Sequence, residues 1–154
     1  MKILVVGGGG REHAIIKSVK KNEQVTTIYA LPGNGGIAED AVCVDIGAKD
    51  IDGILKFAKD NAVDYAIVAP DDPLVLGAVD ALEAAGIPCF GPNKAAAIIE
   101  GSKAFSKELM KKYGIPTAKY ETFSDEDTAL AYLKNTTYPT VVRQTALLSA
   151  RALS

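Results

Sequence analysis

The chain has little of what metal centres, membranes and nucleic acids require. Its 154 residues include two cysteines and one histidine. Cys43 and Cys89 lie far apart and form no Cys-x-x-Cys pair, and His13 is the lone imidazole, so a structural zinc site is not expected. Two buried thiols are expected in place of a disulfide. The net charge of −2 supplies no basic footprint for nucleic acid or an acidic membrane. No apolar run approaches the roughly 20 residues of a membrane span. The first such run, Ile3-Leu4-Val5-Val6, stops at four glycines. It reads as a buried strand, no signal peptide is recognised, and the protein is expected in the cytoplasm.

What is present suits a globular protein. Hydrophobic residues make up 48% and charged residues 23%, enough to bury a core in one domain, or in one domain and the start of a second. Short apolar runs alternate with helical spacing. Strands are expected at Lys2–Val6, Val25–Ala30, Ala41–Asp45, Tyr65–Ala69 and Ile87–Phe90. Helices are expected at Arg11–Lys20, Ile51–Asn61 and Leu74–Ala85. Apolar strands separated by helices imply a doubly wound parallel α/β sheet covered on both faces.

The pattern changes near residue 92. Helices are expected at Asn93–Ile99, Ser102–Tyr113 and, behind Ser124, Asp125–Lys134. Strands are expected at Thr117–Phe123 and from Tyr138 to Val142. A domain boundary is placed between residues 91 and 101, giving a first domain over 1–100 and a second from 101 to 154.

The junction of the first strand with the first helix carries Gly7-Gly8-Gly9-Gly10. Glycines let the backbone approach a ligand, and a helix N-terminus points free N–H groups at an anion. A dinucleotide fingerprint would need Gly or Ala where Glu12 stands, and an acidic residue ending the second strand, which instead runs Ile28-Tyr29-Ala30-Leu31. No Gly-Lys-Ser/Thr follows, so the Walker pattern fails too. A smaller phosphorylated ligand remains. Arg11 either pairs with its phosphate or is solvated, and His13 is a base, a cap or a packing residue. Leu31–Gly36 and Pro70-Asp71-Asp72-Pro73 follow other strands, at the edge where such sheets bind ligands. Either aspartate is also a candidate N-cap.

Gly7–His13, Pro32-Gly33-Asn34, Pro70–Leu74, Phe90-Gly91-Pro92, Glu100–Phe105 and Gly114–Ala118 occur in order and at close spacing. This series resembles the phosphoribosylamine–glycine ligase (glycinamide ribonucleotide synthetase) family over residues 1–142. The resemblance implies a Rossmann-like pre-ATP-grasp domain followed by the start of an ATP-grasp domain. It implies ATP and Mg2+ as cofactors, and phosphoribosylamine, glycine and ATP as small-molecule partners. It assigns Gly8, Gly9, Gly10 and Asn34 to the phosphoribosylamine pocket, and Arg11, from its place after the glycines, is counted with them as substrate-binding. Asp71 stands where the family commonly has Glu, as a partner for ribose hydroxyls or the amine. Lys103 resembles a lysine approaching the nucleotide phosphates. No residue is assigned to metal or to catalysis.

From Arg143 to Ser154 the chain departs from the family, which reads roughly Lys-Ala-Asp-Gly and then a glycine-rich loop. Codons for this tail can be chosen so that one restored adenine yields Lys-Ala-Asp-Gly-Leu-Ala-Leu-Gly-Lys-Gly-Val-Ile. A one-base deletion near codon 143 is therefore expected, and with it a fragment unable to complete the reaction. Two competing readings are a Rossmann module of an oxidoreductase and a non-enzymatic regulatory fragment whose Ala146, Leu147 and Leu148 make contacts.

Overall fold

The computed structural model of the chain describes residues 1–143. The tail from 144, with Ala146, Leu147 and Leu148 and the expected frame change, lies outside the described residues. The chain divides into two units, Met1–Gly101 and Ser102–Ser154.

In the first unit, Lys2–Gly7 forms β1, Thr27–Pro32 β2, Val42–Cys43 β3, Tyr65–Val68 β4 and Cys89–Phe90 β5. All pair in parallel, in the order β3-β2-β1-β4-β5. The chain therefore builds outward from β1 on one side and then returns to build on the other. The direction reverses between β1 and β4, the place where open α/β sheets hold ligands.

The continuous apolar run of β1 is explained by two covered faces. Leu4 and Val6 pack with Ile54 and Ala58 of helix α2 (Ile51–Asp60) and with Val79 and Leu82 of helix α4 (Ala78–Ala84). Ile3 and Val5 pack on the opposite face with Ile16 of helix α1 (Gly10–Val19) and with Ile37 of a 3-10 turn. Ile16 is fully buried, and such burial stabilises by about 1.5–3 kcal/mol. Asp50 caps α2 by accepting from the Gly53 amide at 2.9 Å.

The expected helix Leu74–Ala85 is instead two helices, α3 (Asp71–Leu76) and α4, because Gly77 turns left-handed at φ +94° between them. Helical spacing of apolar residues persists across that break, so periodicity alone conceals it. Helix α5 (Lys94–Gly101) ends the unit and contributes Ala97 to the core.

In the second unit, Ser102 caps helix α6 (Lys103–Lys112) through its Oγ, which accepts from the Phe105 amide at 3.2 Å. Helix α7 (Glu126–Leu133) is capped by Asp125, not Ser124. The Asp125 carboxylate accepts from the Thr128 amide at 2.9 Å. That bond to the Thr128 amide, reinforced by its hydroxyl, holds the Asp125 carboxyl below its ordinary pKa.

Neither strand expected here forms. Thr117–Phe123 is irregular, and Lys107 reaches it by donating to Thr117 Oγ1 at 2.6 Å and to the Ala118 carbonyl at 3.2 Å. Residues 138–142 are irregular too, with Val141 87% and Val142 76% exposed. A strand needs a hydrogen-bonded neighbour, and none pairs with either segment among the described residues.

Candidate functional site

Parallel strands deliver the loops after β1, β2 and β4 to one edge of the sheet. The glycine loop is central and touches both neighbours. Gly7 ends β1 at φ +124°, and a Cβ there would lie 2.8 Å from Pro70 Cγ. A Cβ on Gly8 would lie 2.5 Å from the Gly33 carbonyl oxygen. The Gly33 amide donates to the Gly7 carbonyl at 3.2 Å.

Asn34 ties these loops further. Its Nδ2 donates to the Gly8 carbonyl at 2.7 Å, and its Oδ1 accepts from the Ile37 amide at 2.9 Å. One amide proton and one lone-pair direction remain on this exposed side chain.

Gly10 differs from its neighbours, because nothing lies within 4 Å of where its Cβ would stand. It opens α1, and no side chain caps that end from Gly9. The first-turn amides of a helix have no intrahelical acceptor and carry the positive end of the dipole. Gly10 and Arg11 therefore offer first-turn amides that no N-cap side chain takes, and Arg11 is exposed.

Glu12 is the residue that sequence reasoning undervalued, noted there only as a mismatch to a fingerprint. It is 3% exposed. Its Oε2 accepts from the Gly9 amide at 2.7 Å, so the Gly9 N–H is already used. A Cβ on Gly7 would meet Glu12 Cγ at 2.7 Å, and one on Gly9 would meet Oε2 at the same distance. Two of the four glycines thus make room for a protein carboxylate. The legible signal was Glu three residues after a helix-opening residue, the spacing of a capping box.

His13 Nε2 lies 2.9 Å from Asp40 Oδ2, and Lys20 Nζ donates to Asp40 Oδ1 at 2.9 Å. His13 first, and Lys20 next, hold the Asp40 carboxyl below its ordinary pKa. The cluster fastens α1 to the segment following Asn34.

Beyond β4, Asp71 and Asp72 are the first two residues of α3, and Pro70 occupies the cap position with no side-chain bond. Neither aspartate serves as an N-cap. Lys49 pairs with Asp72 at 2.5 Å. This hydrogen bond and charge raise the Lys49 pKa, with a smaller contribution from Asp71. Asp71 is exposed at the sheet edge. Lys103, in the other unit, is exposed at the first position of α6.

No group of three or more His, Cys, Asp or Glu positioned for a metal exists among the described residues. None of them is therefore assigned to magnesium. Among the same residues no helix is long and apolar enough to cross a membrane. Both cysteines are free and half-buried, and burial, then Glu83, pushes the Cys89 thiol up to about 11.

A family model described as phosphoribosylglycinamide synthetase, N domain, matches residues 1–100. The chain belongs to the phosphoribosylglycinamide synthetase family. The model for the ATP-grasp (A) domain of phosphoribosylglycinamide synthetase matches residues 101–153. A phosphoribosylamine–glycine ligase from Caldanaerobacter subterraneus is 46% identical over 99% of this chain and 37% of its own length. The trifunctional purine biosynthetic protein adenosine-3 of Drosophila melanogaster is 44% identical over 97% of this chain and 11% of its own length. The crystal structure of the Thermotoga maritima phosphoribosylamine–glycine ligase matches at TM-score 0.64 and 26% identity, over 89% of this chain and 31% of that one. N5-carboxyaminoimidazole ribonucleotide synthetase from the same organism shares the fold at TM-score 0.64 and 22% identity, over 85% of this chain and 36% of that one. The chain thus spans little more than a third of the length of the single-function ligase it matches. Membership in the phosphoribosylglycinamide synthetase family lends no support to the oxidoreductase alternative.

Proposed function

We propose that this chain supplies the phosphoribosylamine-binding portion, and the opening of the ATP-binding portion, of a phosphoribosylamine–glycine ligase. The observation that carries this reading is the convergence of the loops after β1, β2 and β4 around the start of α1, where no N-cap side chain takes the first-turn amides.

The reaction needs an activated carboxylate, because a carboxylate is a poor electrophile. The γ-phosphoryl group of ATP passes to an oxygen of glycine, giving an acyl phosphate and ADP. The amine nitrogen of phosphoribosylamine attacks the acyl carbon. A C–N bond forms, the C–O bond to phosphate breaks, and the amine loses a proton to water. Magnesium, when bound, neutralises phosphate charge.

In this reading the amides of Gly10 and Arg11 and the Arg11 guanidinium hold the 5-phosphate. Gly8 and Gly9 shape the loop under the sugar by leaving room for Gly33 and Glu12, and Asn34 offers its remaining N–H. Asp71 accepts from a ribose hydroxyl or the amine, and Lys103 approaches the nucleotide phosphates. Free thiols suit a reducing compartment, and the reaction is placed in the cytoplasm.

Calorimetric titration of the chain with ribose 5-phosphate tests this. Binding is expected, weakened about tenfold by Arg11→Ala, the scale of one charged hydrogen bond. NAD is expected to give no heat. Glycinamide ribonucleotide is expected only when the rest of a ligase is supplied. Binding of NAD without response to ribose 5-phosphate would overturn the proposal.

A further inference from the structure

Glu12 holds a second feature that the capping of Gly9 does not explain. Its Oε2 is satisfied, but Oε1 is buried and has no hydrogen-bond partner among the described residues. An unpartnered buried carboxylate oxygen is costly, and it needs a donor in some state of the molecule. The nearest cation is Arg11, whose Nε stands 3.6 Å from Oε1, just beyond hydrogen-bonding reach. The Arg11 side chain as a whole is 63% exposed and springs from the first turn of α1, whose amides no N-cap side chain takes.

We propose that Glu12 is a positioning residue, whose Oε1 receives the Arg11 Nε–H and sets the guanidinium over a phosphate at the start of α1. The inference rests on the phosphate-binding reading above. The guanidinium is a planar fork with donors on separate edges. Its Nε edge faces the Glu12 carboxylate while its terminal N–H groups remain for phosphate oxygens. Closing the gap from 3.6 Å satisfies the orphan oxygen and fixes a long side chain that otherwise loses rotamer freedom on binding. Glu12 then strengthens anion binding although it is itself an anion. Lysine at position 11 would keep the charge but lacks a planar fork with a separate edge for each partner.

The sign of one substitution decides the matter. Glu12→Gln retains an oxygen for the Gly9 amide and removes the charge facing Arg11. If Glu12 only caps the loop and repels ligand, Glu12→Gln binds ribose 5-phosphate equally or more tightly. Positioning predicts the opposite, about tenfold weaker binding. It also predicts that the effect falls below about twofold when Arg11 is already alanine, because the two residues act as a unit. Arg11→Lys, at an exposed position where folding is not at risk, is expected to lose nearly as much affinity as Arg11→Ala.

Titrations of the chain and the four variants, Glu12→Gln, Arg11→Ala, Arg11→Lys and the double Arg11→Ala/Glu12→Gln, give these results directly. Unchanged or tighter binding by Glu12→Gln, equal weakening in both Arg11 backgrounds, or full affinity in Arg11→Lys would overturn the proposal while leaving the binding reading intact. Failure of the unaltered chain to bind ribose 5-phosphate would overturn both.

Discussion

The two units use their apolar residues in opposite ways. Every buried apolar side chain among the described residues lies between Ile3 and Ala97. From Ser102 to Arg143 the large apolar side chains are exposed to varying degrees, among them Tyr113, Ile115, Tyr138, Val141 and Val142. The first unit covers a parallel sheet on both faces and gains the full benefit of burial. The second relies on caps, on the Lys107 ties to Thr117 and Ala118, and on the tilted pair Phe123–Tyr132 at 5.1 Å. Local hydrogen bonds shape the second unit, whereas apolar packing shapes the first.

Substitutions in matched pairs would break or sharpen that contrast. The largest difference is expected between Ile16→Ala and Phe123→Ala. Ile16 is fully buried, and its truncation should cost about 2–5 kcal/mol. Phe123 is 38% exposed, and its truncation should cost about 1 kcal/mol or less. Urea unfolding followed by amide hydrogen exchange, resolved to β1 and α7, would separate the two. Equal losses would mean that the second unit is packed more tightly than its exposure implies.

A smaller contrast is expected between Gly7→Ala and Gly114→Ala. Both residues have positive φ, +124° and +64°. Only at Gly7 would the new Cβ also meet Glu12 Cγ at 2.7 Å and Pro70 Cγ at 2.8 Å, whereas Gly114 faces open space. Gly7→Ala should cost about 2–3 kcal/mol and Gly114→Ala about 1 kcal/mol. Midpoints of thermal unfolding would rank them, and a larger loss at Gly114 would contradict the crowding described at the loop.

The smallest effect is acid sensitivity, where the units should agree. Asp40 and Asp125 each have a pKa lowered by folding. Their contribution is therefore present above the unfolded-state value near 4 and is lost as pH falls through the lower folded value. Asp40→Asn and Asp125→Asn should each flatten the fall in unfolding midpoint below about pH 4. An unchanged slope in either variant would show that its carboxylate is not part of the acid response.

Much of the first unit was legible because one physical rule governed each element. Continuous apolar character marked β1 and β4, and the apolar face of Ile51, Ile54, Leu55 and Ala58 marked α2. β2 begins at Thr27, two residues later than expected, and extends to Pro32, because β3 pairs only with Tyr29 and Ala30 and leaves the proline no ladder bond to supply there. The strands expected at Thr117–Phe123 and from Tyr138 to Val142 show the limit of the method. β-Branched and aromatic residues propose a strand, but pairing decides it. At the site, the glycines and the loops after the strands stood out as patterns. The side-chain contacts did not, since the bonds from Asn34 to Gly8 and from Lys49 to Asp72 join residues far apart in sequence.

The contacts of Gly7 with Pro70 and of Gly8 with Gly33 have a consequence for redesign. The three loops cannot be exchanged one at a time, because each borrows its clearance from the next. A graft of a foreign glycine loop would arrive with the wrong neighbours on both flanks. Variants that alter ligand choice here should therefore emerge from libraries that mutate the loops jointly. Single-loop libraries should return mainly misfolded chains.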